Sequence, residues 1–276
     1  MVPSYFVRAL LIATSVALPA VMAAQADNRP VVAILSFDNN SIGNGRQDFD
    51  GLGKGIQETL IADMASNTKI RLVDRERIQR VIEEQQLVKA GSIDPATSVR
   101  VGRILGAQYA IYGGFMSDGR GNMVLTAHST DMETSALGNA VKVQRKTDDV
   151  LGLIGEMSAK LTSEIKLEPK PGRRVGEAGD GAKAAPSMAA PAPAPKQSGA
   201  PSPAMQIETY AKPISPRAMK VKLDIGTMKI YSNALDEMDK KNSAKATELL
   251  KQVLAKFPDF EPAQRNLDKL SKKRSN

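Results

Sequence analysis

Hydrophobic and polar positions repeat with two different periods along the chain, and each period predicts one kind of element. Residues 30–37 form a nearly continuous apolar run, which is typical of a strand that is buried on both faces. Residues 52–64 place leucine, isoleucine and methionine three or four positions apart, as in an amphipathic helix. Similar spacing predicts helices over 78–87 and 150–165, and another helix that begins at Asp94-Pro95.

Shorter apolar runs predict the remaining strands, which we place at 70–73, 107–115, 123–128 and around 140–143. Together these elements predict an α/β (α+β) fold, a mixed sheet of about five strands with helices packed on it. Asp74 has a side chain that can cap the helix after the second strand. The pair Gly113-Gly114 predicts a bend or a close approach of two backbones at the end of the third strand.

Short motifs within residues 70–115 resemble those of the CsgG family, which is named for the curli secretion channel protein. The motifs are a strand ending in V-x-R, a helix ending in E-Q, a glycine before an acid–proline step, and L-G-A-x-Y before a strand that ends in glycine. The residues that carry them here are Arg75, Glu84, Gln85, Gly91, Gly106, Ala107 and Gly113. The resemblance covers about residues 30–166 and implies a periplasmic domain that binds or scaffolds partners.

The first 26 residues have the features of a cleavable secretory signal peptide. Arg8 precedes an apolar segment, and Ala24-Gln25-Ala26 has the form of an A-x-A cleavage site. An uncleaved N-terminal anchor is the alternative. The sequence contains no cysteine, so it offers neither disulfides nor the lipid-modified cysteine of the curli channel protein. We expect an exported, periplasmic protein that associates with the outer membrane only peripherally.

Composition divides the rest of the chain into a CsgG-like domain over 27–166, an Ala/Pro-rich linker over 167–217 and a helical C-terminal module over 218–276. The linker composition predicts disorder. The module has a pattern similar to the second half of a tetratricopeptide repeat (TPR), carried by Ala234, Ala246, Leu250, Leu254 and Pro258. Because repeat arrays generally need about three repeats, we expect the module to be stable only on a partner or in a dimer.

The formal net charge of +8 concentrates in the linker and the C-terminal module, with clusters such as Arg173-Arg174 and Lys240-Lys241. In an exported protein this charge favours anionic envelope polymer or lipid as a partner, and not nucleic acid. The alternative interpretation is that these lysines only keep the linker soluble.

Residues suited to catalysis are scarce, and we predict no catalytic, cofactor-binding or metal-binding residue and no cofactor. One histidine and no cysteine exclude thiol catalysis and multi-histidine metal sites. His128 and Asp131 lie an odd number of positions apart, which places them on opposite faces of a strand. Gly51, Gly53 and Gly55 have the wrong spacing for a phosphate-binding loop, so we interpret them as packing residues.

These observations predict a non-enzymatic bacterial envelope protein that scaffolds or assists assembly or secretion at the outer membrane through protein–protein contacts. The resemblance implies envelope proteins of the secretion, appendage or cell-wall machinery as partners, and it allows a homo-oligomer. The alternative function is regulation of peptidoglycan synthases in the periplasm, since related lipoprotein activators share this fold and a Pro-rich arm.

Overall fold

The computed structural model describes residues 27–43, 46–85, 95–118, 120–164, 210–213 and 222–275. Within these residues, five strands form one mixed sheet in the order β2-β1-β3-β4-β5. Strand β1 pairs in parallel with β2 and β3, whereas β3, β4 and β5 form an antiparallel meander. The strands are β1 (Val31–Asn39), β2 (Arg71–Leu72), β3 (Tyr109–Ser117), β4 (Asn122–Asp131) and β5 (Leu137–Lys146).

Helices account for most of the remaining described residues, and the predicted fold class is confirmed. A 3-10 helix (Arg46–Phe49) precedes the first α-helix. The α-helices are α1 (Leu52–Met64), α2 (Arg75–Glu84), α3 (Pro95–Ile104), α4 (Val150–Glu164), α5 (Ile225–Asp239), α6 (Ser243–Lys256) and α7 (Glu261–Ser275). Helix α1 has the predicted limits, and α3 begins at the predicted proline. Strands β4 and β5 are longer than predicted.

Helices α1 and α4 lie side by side on one face of the sheet. The register pairs Phe115 with Leu125 and Leu125 with Val143, so these buried side chains form a row beneath the two helices. The connection from β2 to β3 runs back across β1. Because crossovers between parallel strands are almost always right-handed, we place α2 and α3 on the face opposite α1. Apolar burial between these layers forms the core of the sheet domain.

Glycine is required where the backbones of two elements touch. A Cβ atom on Gly53 would lie 1.9 Å from the carbonyl oxygen of Phe37, so α1 contacts β1 through bare backbone. A Cβ atom on Gly113 would lie 2.0 Å from the carbonyl oxygen of Thr126. The close approach predicted at Gly113 is confirmed, but it lies within β3 and not at the end of that strand. The interpretation of Gly53 as a packing residue is confirmed as well.

Four residues of the predicted linker are described, and they differ from the predicted disorder. Tyr210 bridges Val73 in antiparallel fashion, and the Ala211 N–H donates to the carbonyl of Leu72 at 2.9 Å. The guanidinium carbon of Arg71 lies 4.9 Å from the centre of the Tyr210 ring, a distance at which a cation attracts the ring face. Backbone pairing and this cation–π contact explain why the segment follows the outer edge of β2. The rest of the linker, the predicted signal peptide and Gly91 lie outside the described residues.

The C-terminal helices pack against each other and, through α5, against α1. Their buried side chains Met228, Tyr231 and Leu235 belong to the same apolar cluster as the core of the sheet domain. We expected a partner or a second copy to cover this module, and in the structure α1 of the same chain covers it. Among the described helices, none has the length and apolar character needed to cross a membrane.

Candidate functional site, a helix-docking surface on α1 and α2

Helix α5 crosses the first turns of α1 at Gly55. The Gly55 N–H donates to the Ser232 hydroxyl oxygen at 3.0 Å, and that hydroxyl donates to the carbonyl of Leu52 at 3.2 Å. A Cβ atom on Gly55 would lie 2.2 Å from the Ser232 oxygen and 2.9 Å from the sulfur of Met228. The lack of a side chain at Gly55 thus permits the close crossing, in agreement with its interpretation as a packing residue.

Arg75 is the centre of a charged cluster beneath this crossing. Its side chain is only 2 % exposed, and its Nη1 donates to both carboxylate oxygens of Asp239, at 3.0 and 3.1 Å. Its Nε lies 3.3 Å from a carboxylate oxygen of Glu58. Burial opposes the charge of Arg75, but Glu58 and Asp239 outweigh it and raise the pKa of Arg75, so the guanidinium stays charged. A buried charge is tolerated only when it is paired in this way.

Local sequence explains why Arg75 points into the cluster. Asp74 adopts an extended backbone conformation and caps α2, accepting a hydrogen bond from the Glu76 N–H at 2.9 Å. Arg75 is therefore the first residue of α2, and it follows the end of β2 at Leu72 by three residues. The cap predicted at Asp74 is confirmed, and it fixes the position from which the Arg75 side chain extends toward α1 and α5.

Lys54 adds a second cation that binds the same end of α5. Its Nζ lies 2.7 Å from a carboxylate oxygen of Asp236 and 3.0 Å from one of Asp239. Burial opposes ionisation of Asp236, but hydrogen bonds from Lys240 and Lys54 lower its pKa overall. Carboxylates in the last turn of a helix are disfavoured by the helix dipole. The cations of α1 and α2 compensate this cost at the end of α5.

Glu58 completes the cluster from α1. Burial raises the pKa of Glu58 even though the adjacent Arg75 favours its charged form. Neighbouring Tyr231 is fully buried on α5, and its hydroxyl accepts a hydrogen bond from the side-chain amide of Asn266 on α7 at 3.0 Å. The Tyr231 ring also meets Phe260 edge-on, with 5.0 Å between ring centres. These contacts hold α5 and α7 together above the charged cluster.

Lys269 on α7 forms a more exposed ion pair at the rim of this surface. Its Nζ lies 2.9 Å from a carboxylate oxygen of Glu76 and 3.9 Å from one of Asp74. The Lys269 side chain is 43 % exposed, so solvent screens the pair. The docking surface thus has a buried charged centre and a hydrated charged rim.

Most of the predicted motif residues lie away from this surface. Among those the structure describes, Arg75 enters the cluster, whereas Glu84 and Gln85 lie at the far end of α2. Gly106 has a φ of +67° and turns the chain with Ala107 from α3 into β3, a conformation that favours glycine. The prediction that the family motif forms a partner surface stays a prediction.

The TPR-like residues belong to the packing of the C-terminal helices. Ala234, Ala246 and Leu250 are fully buried, Leu254 is partly buried, and Pro258 is exposed in the turn before α7. These positions are compatible with helix packing of several kinds, and the assignment to a TPR stays a prediction.

Sequence reasoning missed Lys54, Glu58, Asp236 and Asp239 as members of a site. The available signal was the pair of carboxylates at the end of a predicted helix, where the helix dipole disfavours them. His128, by contrast, stacks on Tyr112 with 5.9 Å between ring centres, while Asp131 pairs with Tyr109. In the described part of the chain, no group of three or more His, Asp or Glu side chains is arranged to hold a metal ion.

A second surface is the uncovered part of the sheet face that carries α2 and α3. The register places Met116 beside Val124, and Thr126 beside Lys142, so these four residues form a continuous patch across β3, β4 and β5. We call this patch the open sheet face. Met116 is 44 % exposed, and a shallow depression beside it forms over Gly114.

The chain belongs to the CsgG family. The family model for "Curli production assembly/transport component CsgG" matches residues 13–150. This match includes all five described strands and α1 to α3, and it ends at the first residue of α4. The C-terminal helices that dock on α1 therefore lie beyond the matched part.

Solved structures of several bacterial proteins resemble this chain at low similarity. The LpoB C-terminal domain from Escherichia coli is 18 % identical, with 43 % of this chain and 83 % of that chain covered and a TM-score of 0.34. The lipoprotein GNA1162 from Neisseria meningitidis is 10 % identical, with 48 % and 96 % covered and a TM-score of 0.34. Scores this low support no functional assignment. No curated protein matches the sequence.

Proposed function

We propose that this protein is a non-enzymatic component of the bacterial envelope that supports assembly or secretion at the outer membrane through protein–protein contacts. Membership of the CsgG family supports this proposal, because the family is described as an assembly and transport component of curli production. In this proposal the protein is exported, acts in the periplasm and reaches the outer membrane through its partners.

The observation that carries the proposal is the open sheet face. Met116 and Val124 supply apolar area, Thr126 supplies a hydroxyl, and Lys142 supplies a cation at the margin. An exposed apolar patch with a polar rim on an otherwise well-packed domain is typical of a protein contact site. The patch lies on the opposite side of the sheet from α1, so a partner can bind there while α5 stays docked.

A photo-crosslinking amino acid at Thr126 tests the proposal in the bacterium that encodes the protein. A matched control places the same amino acid at Lys251, which is exposed on α6. We expect adducts with proteins of the secretion or appendage-assembly machinery from position 126, and none from position 251. The substitution Met116→Glu places a charge in the patch, and we expect it to abolish the adduct while the far-UV circular dichroism stays unchanged.

Two outcomes would contradict the proposal. Equal adducts from both positions would show that the open sheet face is not a specific contact site. Adducts with peptidoglycan synthases alone would instead favour the alternative function, regulation of cell-wall synthesis.

A further inference from the structure

We propose that the surface formed by α1 and the start of α2 is a binding site for an amphipathic helix, and that α5 is a detachable ligand of this site. The ligand helix carries a serine followed, four and seven positions later, by two carboxylates. This inference concerns a different surface from the open sheet face and does not depend on the proposed function.

The two sides of the contact are complementary in hydrogen bonding. The surface of α1 and α2 offers three hydrogen-bond donors, which are the Gly55 N–H, Lys54 Nζ and Arg75 Nη1. The ligand helix offers three acceptors, namely the Ser232 hydroxyl, the Asp236 carboxylate and the Asp239 carboxylate. Their spacing of four and three residues puts all three acceptors on one face of α5. A helix without this pattern would leave the donors unpaired.

The charged centre makes the site selective for its ligand. Arg75 is almost fully buried and would keep only the single contact with Glu58 if α5 left. Charged groups that are buried on binding discriminate strongly against partners that cannot pair with them. The apolar side chains of Met228 and Tyr231 supply area but no such selectivity. The site therefore recognises a small hydroxyl residue and two carboxylates on one helical face.

The ligand helix comes from a stretch of sequence separate from the domain that binds it. The family match ends at residue 150, whereas α5 begins at Ile225. Between them, Tyr210–Pro213 contacts both parts, since it pairs with β2 and the Arg265 guanidinium on α7 donates to the carbonyl of Lys212 at 2.6 Å. Because α5 and the sheet domain belong to one chain, the effective concentration of the ligand helix at the site is high.

Cleavage of the connection tests whether α5 is a ligand. A recognition sequence for a specific protease is inserted between residues 190 and 191 of the full chain, and the folded, purified protein is then cut. We expect the two fragments to elute together in size-exclusion chromatography. A fluorescent label on the C-terminal fragment gives the dissociation constant on dilution, and an excess of unlabelled C-terminal fragment, prepared from cut protein, should replace the labelled one.

Asp239→Asn measures the contribution of the charged centre. We expect this substitution to weaken the complex of the cut fragments tenfold or more, because it removes the charge that binds Arg75 and Lys54. Asp259→Asn makes the same chemical change in the exposed turn between α6 and α7 and should leave the dissociation constant within twofold. Ser232→Ala, which keeps all charges, should weaken the complex several-fold through the loss of two hydrogen bonds.

Several outcomes would overturn the inference. Immediate separation of the wild-type fragments would show that α1 is not a binding site for α5. Fragments that never exchange with the unlabelled competitor would show a permanent part of the fold, not a ligand. Equal affinities for Asp239→Asn and Asp259→Asn, or a loss of circular dichroism in Asp239→Asn together with unchanged binding by Ser232→Ala, would contradict recognition by this face.

Discussion

Helix α1 makes two interfaces that differ in chemistry. Toward the sheet it presents Gly53, which touches the carbonyl of Phe37, and Gln57, whose side-chain amide donates to the carbonyl of Ile34 at 2.8 Å. Toward α5 it presents Lys54 and Glu58, which face charged side chains. The sheet side is fixed by contacts to backbone, which any sequence of β1 would offer. The α5 side adds side-chain charges, which only a particular partner can pair, to the buried apolar contacts of α5.

This contrast suggests different roles for the two interfaces. Apolar burial around the sheet side supplies most of the stabilisation of the domain, because it scales with the area removed from water. A buried ion pair adds little net stability compared with apolar residues of the same shape, yet removing one partner is costly. The charged interface therefore determines which helix docks on α1, and in which register, more than it stabilises the fold.

The largest effect is expected from Arg75→Met, which removes the cation at the centre of the α5 interface. Asp239 and Glu58 would then lose their shared partner, and we expect the free energy of unfolding to fall by about 3–5 kcal/mol. Urea denaturation followed by circular dichroism measures this loss. Arg80→Met on the exposed side of α2 is the matched control, with an expected change within about 0.5 kcal/mol.

A further substitution sharpens this test. In the double variant Arg75→Met, Asp239→Leu the unpaired carboxylate of α5 is also removed, and we expect part of the stability to return. No recovery in the double variant, or equal losses for Arg75→Met and Arg80→Met, would contradict a paired charged centre.

Two glycine substitutions compare the interfaces directly. In Gly53→Ala the new Cβ would collide with backbone of β1, which cannot rotate away, so we expect a loss of about 1–3 kcal/mol. In Gly55→Ala the collision is with the side chains of Ser232 and Met228, which can move, so we expect a smaller loss that the second substitution Ser232→Ala reduces further. Urea denaturation measures both. Equal losses, or no rescue by Ser232→Ala, would remove the distinction between the interfaces.

The helices and strands of the sheet domain could be predicted because the sequence signals that specify them are local. Apolar spacing over residues 52–64 located the helix, Asp74 located the cap of α2, and Pro95 located the start of α3. Each of these signals lies within a few residues of the structure it determines. The same is true of the β3-β4-β5 meander, in which consecutive strands pair.

The α5 side could not be predicted in the same way. Lys54 and Asp239 are 185 positions apart. In a sequence, a lysine or an aspartate alone predicts only an exposed side chain unless its partner is known. Apolar periodicity showed that the C-terminal helices have a face to bury but not that α1 covers it. The motif that identified Arg75 gave its position but not its role, because Asp239, one of the two carboxylates that Arg75 contacts, lies outside the matched family region.

A pH-dependent effect of intermediate size is expected from Glu58. Because burial raises its pKa above the ordinary value of 4.5, the folded protein binds this proton more tightly than the unfolded chain does. The stabilisation from this proton is complete below the pKa that Glu58 has in the unfolded chain. It is lost as the pH rises through the higher pKa that Glu58 has in the folded protein. Glu58→Gln should therefore flatten the pH dependence of the free energy of unfolding above about pH 4.5, with Glu84→Gln as the exposed control.

The two carboxylates that contact Arg75 should differ in how much stability is lost when each is neutralised. At pH 7 Glu58→Gln should change the free energy of unfolding by no more than about 1 kcal/mol, because desolvation already disfavours its charge. Asp239→Asn should cost clearly more, since its carboxylate accepts two hydrogen bonds from Arg75 and contacts Lys54. Equal costs for the two substitutions would show that Arg75 depends on both carboxylates alike.

The smallest effect is expected from Lys269→Ala at the rim of the α5 interface. Its partners Glu76 and Asp74 lie at the start of α2, where the helix dipole already favours negative charge, so they lose little without Lys269. We expect a cost of about 0–1 kcal/mol at 0.05 M NaCl that vanishes at 1 M, where the Debye length is about 3 Å. The loss in Arg75→Met should persist at 1 M NaCl, because buried charges are screened much less. A salt-insensitive cost for Lys269→Ala would place the rim within the buried centre and extend the surface that selects the helix to α7.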